Sequence, residues 1–493
     1  MRLLLISPNI KGIVDGVNRI QPPLGISYLC SFLKSDHDIF VRDTAIEGWG
    51  NVTKITDKVI SIGESNESIV EHIAKINPHI VGISVLFSNL VDSAYTIAQL
   101  VKQVDKRIMV IIGGNHITNM IRDHKLGISQ ITNSNFIDFY FSGESEQTFP
   151  QFINSIESTE KCLQIPGVYK LVEGNLINHS KLPSSFMELK SFPMPSWEYF
   201  NMEKYFSVGL FHSAQSYSNR VLPVMASRGC PEKCQFCTTP DTWGAKVRWR
   251  TPKSIYEEIE YFRSKYNIGE IQFQDDTLTA NQKHLFELCD YLKNVKLPWC
   301  TPNGIKINYH LQNQYEMFCR MKESGCYQVT FACESGSQRV LDNIIRKNIK
   351  VSHFRKSIDD AKRAGLFVHS FWIVGFPGET FNEMNETIKV AADSGADSFS
   401  LAILSPLPGT PIYHQVKRQN LWWKDTNMNQ TLFRNSLIKV DGFNSPEEFE
   451  RWVDEKNIFL NSILEASDPI RYRQVTENRG VMLKPGLRKI KQT

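Results

Sequence analysis

Twice along these 493 residues, short apolar runs alternate with segments of helical periodicity, and few folds accept that pattern. In the first third, Arg2–Ser7, Asp38–Arg42, Ile80–Leu86, Arg107–Ile112 and Ile137–Phe141 read as strands. Pro23–Lys34, Ser68–Ile76, Asp92–Val104 and a segment ending at Ile156 read as helices. From Leu222 the alternation resumes, with strands at Leu222–Ala226, Glu270–Gln274, Trp299–Gly304, Gln328–Ala332, Phe367–Val374 and Ser398–Ile403. Six helices, from Ser254–Tyr266 to Phe381–Ser394, fill and follow the gaps; Ser337–Ile345 is one of them. Strand–helix repeats predict parallel strands with helical crossovers. The first block is therefore expected to be an open parallel sheet covered on both faces, and the second a partial α/β barrel of six units. Both arrangements gather ligands at the carboxyl ends of the strands. The loops Pro8–Gly25, Ser84–Asn89, Gly113–Thr118 and Ser142–Glu146 should then share one rim.

The loop after the first barrel strand carries Cys230-Pro-Glu-Lys-Cys234-Gln-Phe-Cys237, a C-x3-C-x2-C run. Three thiolates this close suit a metal centre better than a disulfide. They are one ligand short of the four that close an electron-transfer iron–sulfur cluster, so a four-iron cluster here keeps one iron open. The other seven cysteines are widely spaced and read as buried thiols in a reducing cytoplasm. Cys319, Cys326 and Cys333 recur every seven residues but are expected on a helix, a turn and a strand, without converging on a second cluster. A net charge of +4 is too small for this length to imply nucleic acid. The most apolar stretch, Ile80–Leu100, is broken by Ser, Asn and Asp, so no transmembrane segment or signal peptide is expected.

The run, with Phe236 before its last cysteine, resembles the signature of the radical S-adenosylmethionine (SAM) superfamily. Further segments are similar to members that carry a cobalamin-type domain: Phe273-Gln274-Asp275-Asp276, Thr301–Lys306, Phe331–Ser337 and Trp372–Thr380. The N-terminal block resembles that cobalamin-binding domain, Rossmann-like and flavodoxin-like, through Pro22–Gly25, Val81–Ser84, Gly113–His116 and Gly143–Glu146. It departs from the D-x-H-x-x-G signature, since the loop Ser7–Gly25 holds no histidine to ligate cobalt. A flavodoxin-like domain without the cofactor is the alternative reading. His116, beside the Gly-Gly turn, reads as a loop hydrogen-bonder.

The resemblance implies a 4Fe–4S cluster on Cys230, Cys234 and Cys237, SAM on the open iron, and cobalamin. It places SAM near Phe236, Gln274, Asp275, Asp276, Glu334, Arg346 (with Lys347) and Val374 before the Gly375–Thr380 turn. Helix capping by Asp276, a structural hydrogen bond for Glu334 and a solvated helix end for Arg346 are the competing roles. It places cobalamin near Asn9, Gly25, Ser84, Gly113, Gly114, Gly143 and Glu144. The expected division is a cobalamin-type domain (1–180), a linker (181–215), a radical SAM core (216–415) and a small, mostly helical C-terminal cap and tail (416–493). Pro193, Pro195 and Trp197 mark the linker, and a helix Pro446–Glu465 marks the cap.

The implied activity is methyl transfer to an unactivated carbon of a small-molecule or peptide substrate. Methylcobalamin supplies the methyl group, and an external flavodoxin- or ferredoxin-type protein supplies single electrons. Oxidative cyclisation or rearrangement is the alternative, and a non-catalytic cobalamin or SAM sensor the third. Methylthiotransferases carry extra cluster cysteines in their N-terminal domain, where this chain has only Cys30 and Cys162.

Overall fold

The computed structural model describes residues 1–478 except 15, 35, 124–134, 181–185, 210, 214, 425, 427, 428 and 430. The expected tail at 483–493 and the start of the linker lie outside the described residues. In the N-terminal block the strands are β1 (Arg2–Ser7), β2 (Ile10–Ile13), β3 (Asp38–Asp43), β4 (Val52–Lys54), β5 (Val59–Ile62), β6 (Ile80–Ser84), β7 (Met109–Gly113), β8 (Phe139–Phe141), β9 (Val168–Val172) and β10 (Asn175–Ile177). Seven of them form one sheet in the order β10-β9-β8-β7-β6-β1-β3. From β8 to β3 every pairing is parallel, and β9 and β10 add an antiparallel edge.

The run RLLLIS explains why β1 lies centrally. Leu3 and Leu5 enter one hydrophobic core and Leu4 and Ile6 the other, as a strand buried on both faces requires. A small antiparallel sheet, β2-β5-β4, was not expected; it grows from the loop after β1. Its strands are only three or four residues long, too short for a periodicity to show.

The second block contains β11 (Val221–Val224), β12 (Ser227–Arg228), β13 (Arg248–Trp249), β14 (Glu270–Phe273), β15 (Trp299–Ile305), β16 (Cys326–Glu334), β17 (Phe367–Val374) and β18 (Ser398–Ile403). Six form a parallel sheet in sequence order, β11-β14-β15-β16-β17-β18, each followed by helix before the next. The pair β12/β13 is a separate antiparallel ladder framing the cysteine loop. An incomplete barrel leaves an edge, a liability for any sheet. Helix Pro446–Ser467 covers it: Asn457 and Asn461, one turn apart, hydrogen-bond the backbone N–H and C=O of Leu401 and Phe399 on β18.

Three local expectations change. Cys326 opens β16 rather than lying in a turn, so it shares that strand with Cys333. Cys319 is half-buried, unlike the other six cysteines outside the run. The helix expected over Ser337–Ile345 is a π-helix at Val340–Ile345, ending on Arg346 in the left-handed region (φ 59°). Between the blocks, Trp197 is fully buried and Phe192 packs edge-on against Tyr28 and Phe32, so the described part of the connector is packed.

Candidate active site

The cysteine loop is braced at both ends by backbone. Cys230 N donates to Gly244 O (3.1 Å), and Gln235 N donates to Ile345 O (2.9 Å). Gly229 has φ 101°, and a Cβ there would stand 2.4 Å from Lys246 O, so only glycine allows this entry to Cys230. Burial pushes the Cys230 thiol up to about 11 and Cys234 up to about 12, and also raises Cys237. Without a cation these groups stay protonated at neutral pH; a bound metal displaces the protons. Among the described residues no three His, Cys, Asp or Glu side chains gather around a single metal-ion position. A four-iron cluster asks for one thiolate on each of three irons, and the donor set of three soft thiols in this loop fits it. The Thr239 amide also donates to Cys237 Sγ (3.4 Å).

Around the loop, the carboxylates divide by setting. Asp275 is buried and accepts from Ala226 N (3.0 Å) and Ser227 Oγ (2.5 Å), tying the end of β14 to the start of the cysteine loop. Burial, opposed by those bonds, still raises its carboxyl to about 7. Asp276 is water-accessible, yet desolvation raises it to about 6; the two observations agree if the carboxylate lines a depression in the protein. It has no ion-pair or hydrogen-bond partner among the described residues, and its charge reaches Cys230 and Cys237. It does not cap the next helix, which Asn281 does. An open carboxylate beside the cluster thiols fits the methionyl ammonium of SAM.

Glu334, at the end of β16 with φ 65°, is buried and paired with Lys347 (Nζ–Oε1 2.5 Å). Burial disfavours the Lys347 charge, but the Glu334 carboxylate outweighs this and raises its pKa. Lys347 Nζ also donates to Ala332 O (2.9 Å), and its charge reaches Cys234. Arg346 is turned outward and exposed, so the cation at the site is its neighbour. Gln274 is engaged by Gln21 (3.4 Å) and His212 (3.2 Å), and its carbonyl accepts from Asn303 Nδ2 (2.7 Å). Phe236 packs at 5.9 Å from Phe376, while Val374 is fully buried at the end of β17. Gln21 Oε1 and Ser405 Oγ are buried with no partner among the described residues, so polar valences remain open near the barrel mouth.

The parallel strands β1, β6, β7 and β8 bring the four N-terminal loops to one edge. Gly25 is exposed, with open space where its Cβ would be, and Ser84, Gly113, Gly114 and Gly143 are partly accessible. Leu86 (41%) and Phe87 (56%) stand exposed on the same rim. A lean backbone edged by apolar side chains suits a large macrocycle. Asn9 is instead occupied with Glu64, accepting from its N–H (3.1 Å) and donating to its C=O (2.8 Å). His116 is buried against Ser88 Oγ (2.9 Å), and burial lowers it to about 4, so the neutral ring serves the loop.

Glu144 faces away from the rim into a buried ionic knot. It binds Arg248 through both oxygens (2.5 and 2.9 Å) and lies 3.5 Å from Arg228, which pairs with Glu146 at 2.6 Å. Arg228 also lies over Trp243 (4.5 Å) and Phe192 (4.8 Å). Since Arg228 and Arg248 sit on β12 and β13, the knot fastens the N-terminal rim to the ladder that presents Cys230. Arg228, Arg248 and His212 carried no motif in the sequence, whereas Glu146 closed the Gly143–Glu146 segment and Lys347 stood beside Arg346. The spacing Glu144-x-Glu146 was the available signal.

Known proteins resemble this chain in sequence and in fold. The model of the radical SAM superfamily matches residues 224–391, and that of the B12 binding domain matches 10–153. The chain is 30% identical to the cytidylyl-2-hydroxyethylphosphonate methyltransferase of Streptomyces wedmorensis over 94% of its own length and 90% of that protein. It is 29% identical to an uncharacterized methyltransferase of Pyrococcus horikoshii over 99% and 97% of the two chains. In fold it is similar to the cobalamin-dependent SAM radical enzyme OxsB with aqua-cobalamin bound (TM-score 0.68, 13% identity, 98% of this chain and 75% of that one). Among the described residues no helix is long and apolar enough to cross a membrane. With a three-cysteine loop at the mouth of a six-stranded barrel and a B12-type sheet locked against it, the chain belongs to the B12-binding radical SAM enzyme family, whose cofactors are a 4Fe–4S cluster, SAM and cobalamin.

Proposed function

We propose that this enzyme is a methyltransferase that installs a methyl group on an unactivated carbon. The observation carrying this reading is near-full-length identity to a methyltransferase, at 30%, joined to a rim and a cysteine loop clamped face to face. When bound, the cluster and SAM supply an electron and a deoxyadenosyl radical, and cobalamin supplies the methyl group. The chain's residues hold these groups apart and oriented. In this reading Cys230, Cys234 and Cys237 ligate the cluster, Asp276 takes the SAM ammonium, and the Glu334–Lys347 pair and Phe236 line the same pocket. Gly25, Ser84, Gly113, Gly114 and Gly143 cradle the corrin. Residues 1–180 and 216–415 carry the two cofactor halves, 181–215 connects them, and 416–493 contributes the helix Pro446–Ser467 that closes the barrel edge.

The first substrate to try is cytidylyl-2-hydroxyethylphosphonate, because the Streptomyces relative is named for it. Anaerobic turnover of the reconstituted enzyme should yield S-adenosylhomocysteine together with 5′-deoxyadenosine and a product heavier by one methylene. Deoxyadenosine with a cyclised or rearranged product and no S-adenosylhomocysteine would favour the oxidative alternative and remove the methyl-transfer reading.

A further inference from the structure

We infer, resting on the methyl-transfer reading, that the methyl acceptor carries a neutral hydroxyl group and that Gln21, His212 and Asn303 receive it as hydrogen-bond acceptors. Three segments supply these residues: the N-terminal loop, the connector and β15. All three meet on Gln274, just past the end of β14. Gln274 lies two residues before Asp276, and Gln21 four before the open Gly25. The group therefore stands between the half proposed to hold SAM and the rim proposed to hold cobalamin. A carbon that loses hydrogen on one side and gains a methyl group from the other belongs there.

The connector is fastened so as to reach this point. The Ser216 hydroxyl (2.7 Å) and the Ser218 N–H (3.0 Å) donate to the Glu270 carboxylate. Higher up, the Ser213 N–H donates to Gln272 Oε1 (3.1 Å) and its hydroxyl to Gln328 Oε1 (3.3 Å). From Ser218 back to His212 the connector thus climbs the alternate positions Glu270, Gln272 and Gln274, and presents His212 at the last of them. Arg19 Nη1 holds the His212 carbonyl from the N-terminal side (2.9 Å).

The hydrogen bonds fix which atoms are left over. Gln274 Nε2 donates to the Gln272 carbonyl (3.2 Å), which can only accept, so Gln274 Oε1 is an acceptor. His212 Nδ1 (3.2 Å) and Gln21 Nε2 (3.4 Å) must then donate to it, and Asn303 Nδ2 donates to the Gln274 carbonyl (2.7 Å). With these donors spent on Gln274, the atoms remaining are acceptors: His212 Nε2, Gln21 Oε1 and Asn303 Oδ1. None of the three has a hydrogen-bond partner among the described residues, and Gln21 Oε1 is buried. Burial lowers the His212 pKa, and the Arg19 charge adds to the effect, so the ring stays neutral and Nε2 keeps its lone pair. Three acceptors repel a carboxylate or phosphate, and the Arg19 charge felt at His212 disfavours an ammonium. A hydroxyl donates without adding charge.

Equilibrium dialysis of the full-length holoenzyme tests this without turnover. The probes are cytidylyl-2-hydroxyethylphosphonate and cytidylyl-ethylphosphonate, which differ only in the hydroxyl. The parent should bind the hydroxyl probe at least about thirtyfold more tightly, because the deoxy probe leaves the acceptors unpaired. His212→Phe and Gln21→Met keep the bulk and remove an acceptor. Each should cut that preference about fivefold or more while affinity for the deoxy probe stays within about threefold of the parent. A misshapen pocket would instead weaken both probes together. If His212→Phe fails to load its cofactors, Gln21→Met is read alone. A parent that binds the probes alike, or binds neither, overturns the inference. So does equal weakening of both probes in every variant that loads, or failure of both variants to load. Deoxyadenosine formed without S-adenosylhomocysteine would remove the methyl-transfer reading and leave the binding preference in place, so the two fail separately.

Discussion

Asp276 and Asp275 are adjacent, and their surroundings give them opposite work. Asp275 has both oxygens committed to Ala226 and Ser227, whereas Asp276 faces open space beside the cluster thiols. Replacing Asp276 by Asn should weaken SAM binding to the reconstituted enzyme about tenfold or more, the order of a lost charge-assisted hydrogen bond, with no change in melting temperature. Because burial raises Asp276 to about 6, the carboxylate is lost as pH falls through that value. SAM affinity in the parent should therefore drop about tenfold per pH unit below 6, and in Asp276→Asn should be level from pH 5 to 8. Equilibrium dialysis across that range distinguishes the two; a level profile in the parent removes Asp276 from the SAM site. Asp275 bears on stability instead. Its pKa is raised on folding to about 7, so the folded state binds the proton more tightly than the unfolded chain. Its contribution is fully present below about pH 4 and is lost as pH rises through 7. The difference in unfolding free energy between the parent and Asp275→Asn should accordingly change sign or shrink across pH 4–7, as followed by urea denaturation at each pH.

At the scale of elements, β18 is an edge strand made safe by two side chains. Asn457 and Asn461 reproduce the ladder that a seventh strand would supply, each accepting from an N–H and donating to a C=O. Leucine at either position leaves two buried backbone groups unpaired and should cost about 2–4 kcal/mol, read as a lower midpoint in chemical denaturation. Glutamine, one methylene longer, should not restore it. This device also marks where sequence reading stops. The repeat of apolar runs located the six barrel strands to within one or two residues, because burial on both faces leaves an unbroken apolar signature. Asparagine at i and i+4 on an amphipathic helix looks like an ordinary wet face, and only the partner strand reveals its use. The small sheet β2-β5-β4 was hidden for a related reason, its strands of three or four residues being too short for an alternation to repeat. The cysteine loop was legible because its chemistry is local. Lys347 was not: the sequence offers Arg346 and Lys347 as adjacent equals, and the left-handed turn at Arg346 decides which one enters.

The whole molecule depends on how the two blocks are locked, and Glu144 is the test of it. Sequence resemblance put Glu144 on the cobalamin rim; in the structure its carboxylate lies fully buried, hydrogen-bonded by Arg248 and the Met187 N–H (3.0 Å) and 3.5 Å from the Arg228 guanidinium. Two acids from one block and two guanidiniums from the other form a knot in which no charge is left to face apolar surroundings alone. Deleting one member should therefore cost far more than the knot itself contributes. Glu144→Ala should lose about 3–5 kcal/mol, since Arg248 and Arg228 keep their charges without a shared counter-ion. Arg248→Met should lose a similar amount by stranding Glu144. The double substitution Glu144→Met with Arg248→Met should cost clearly less than the sum of the two, because neither charge then remains, although Arg228 keeps Glu146. Urea denaturation of the four proteins gives the coupling directly. The same set reports on function: with the rim and the β12/β13 ladder unfastened, substrate-dependent S-adenosylhomocysteine formation should fall more steeply than uncoupled SAM cleavage, which needs only the barrel half. Additive stability losses, or equal declines in both reactions, would mean that the knot is a packing detail and that the two cofactor halves are held in register by some other contact.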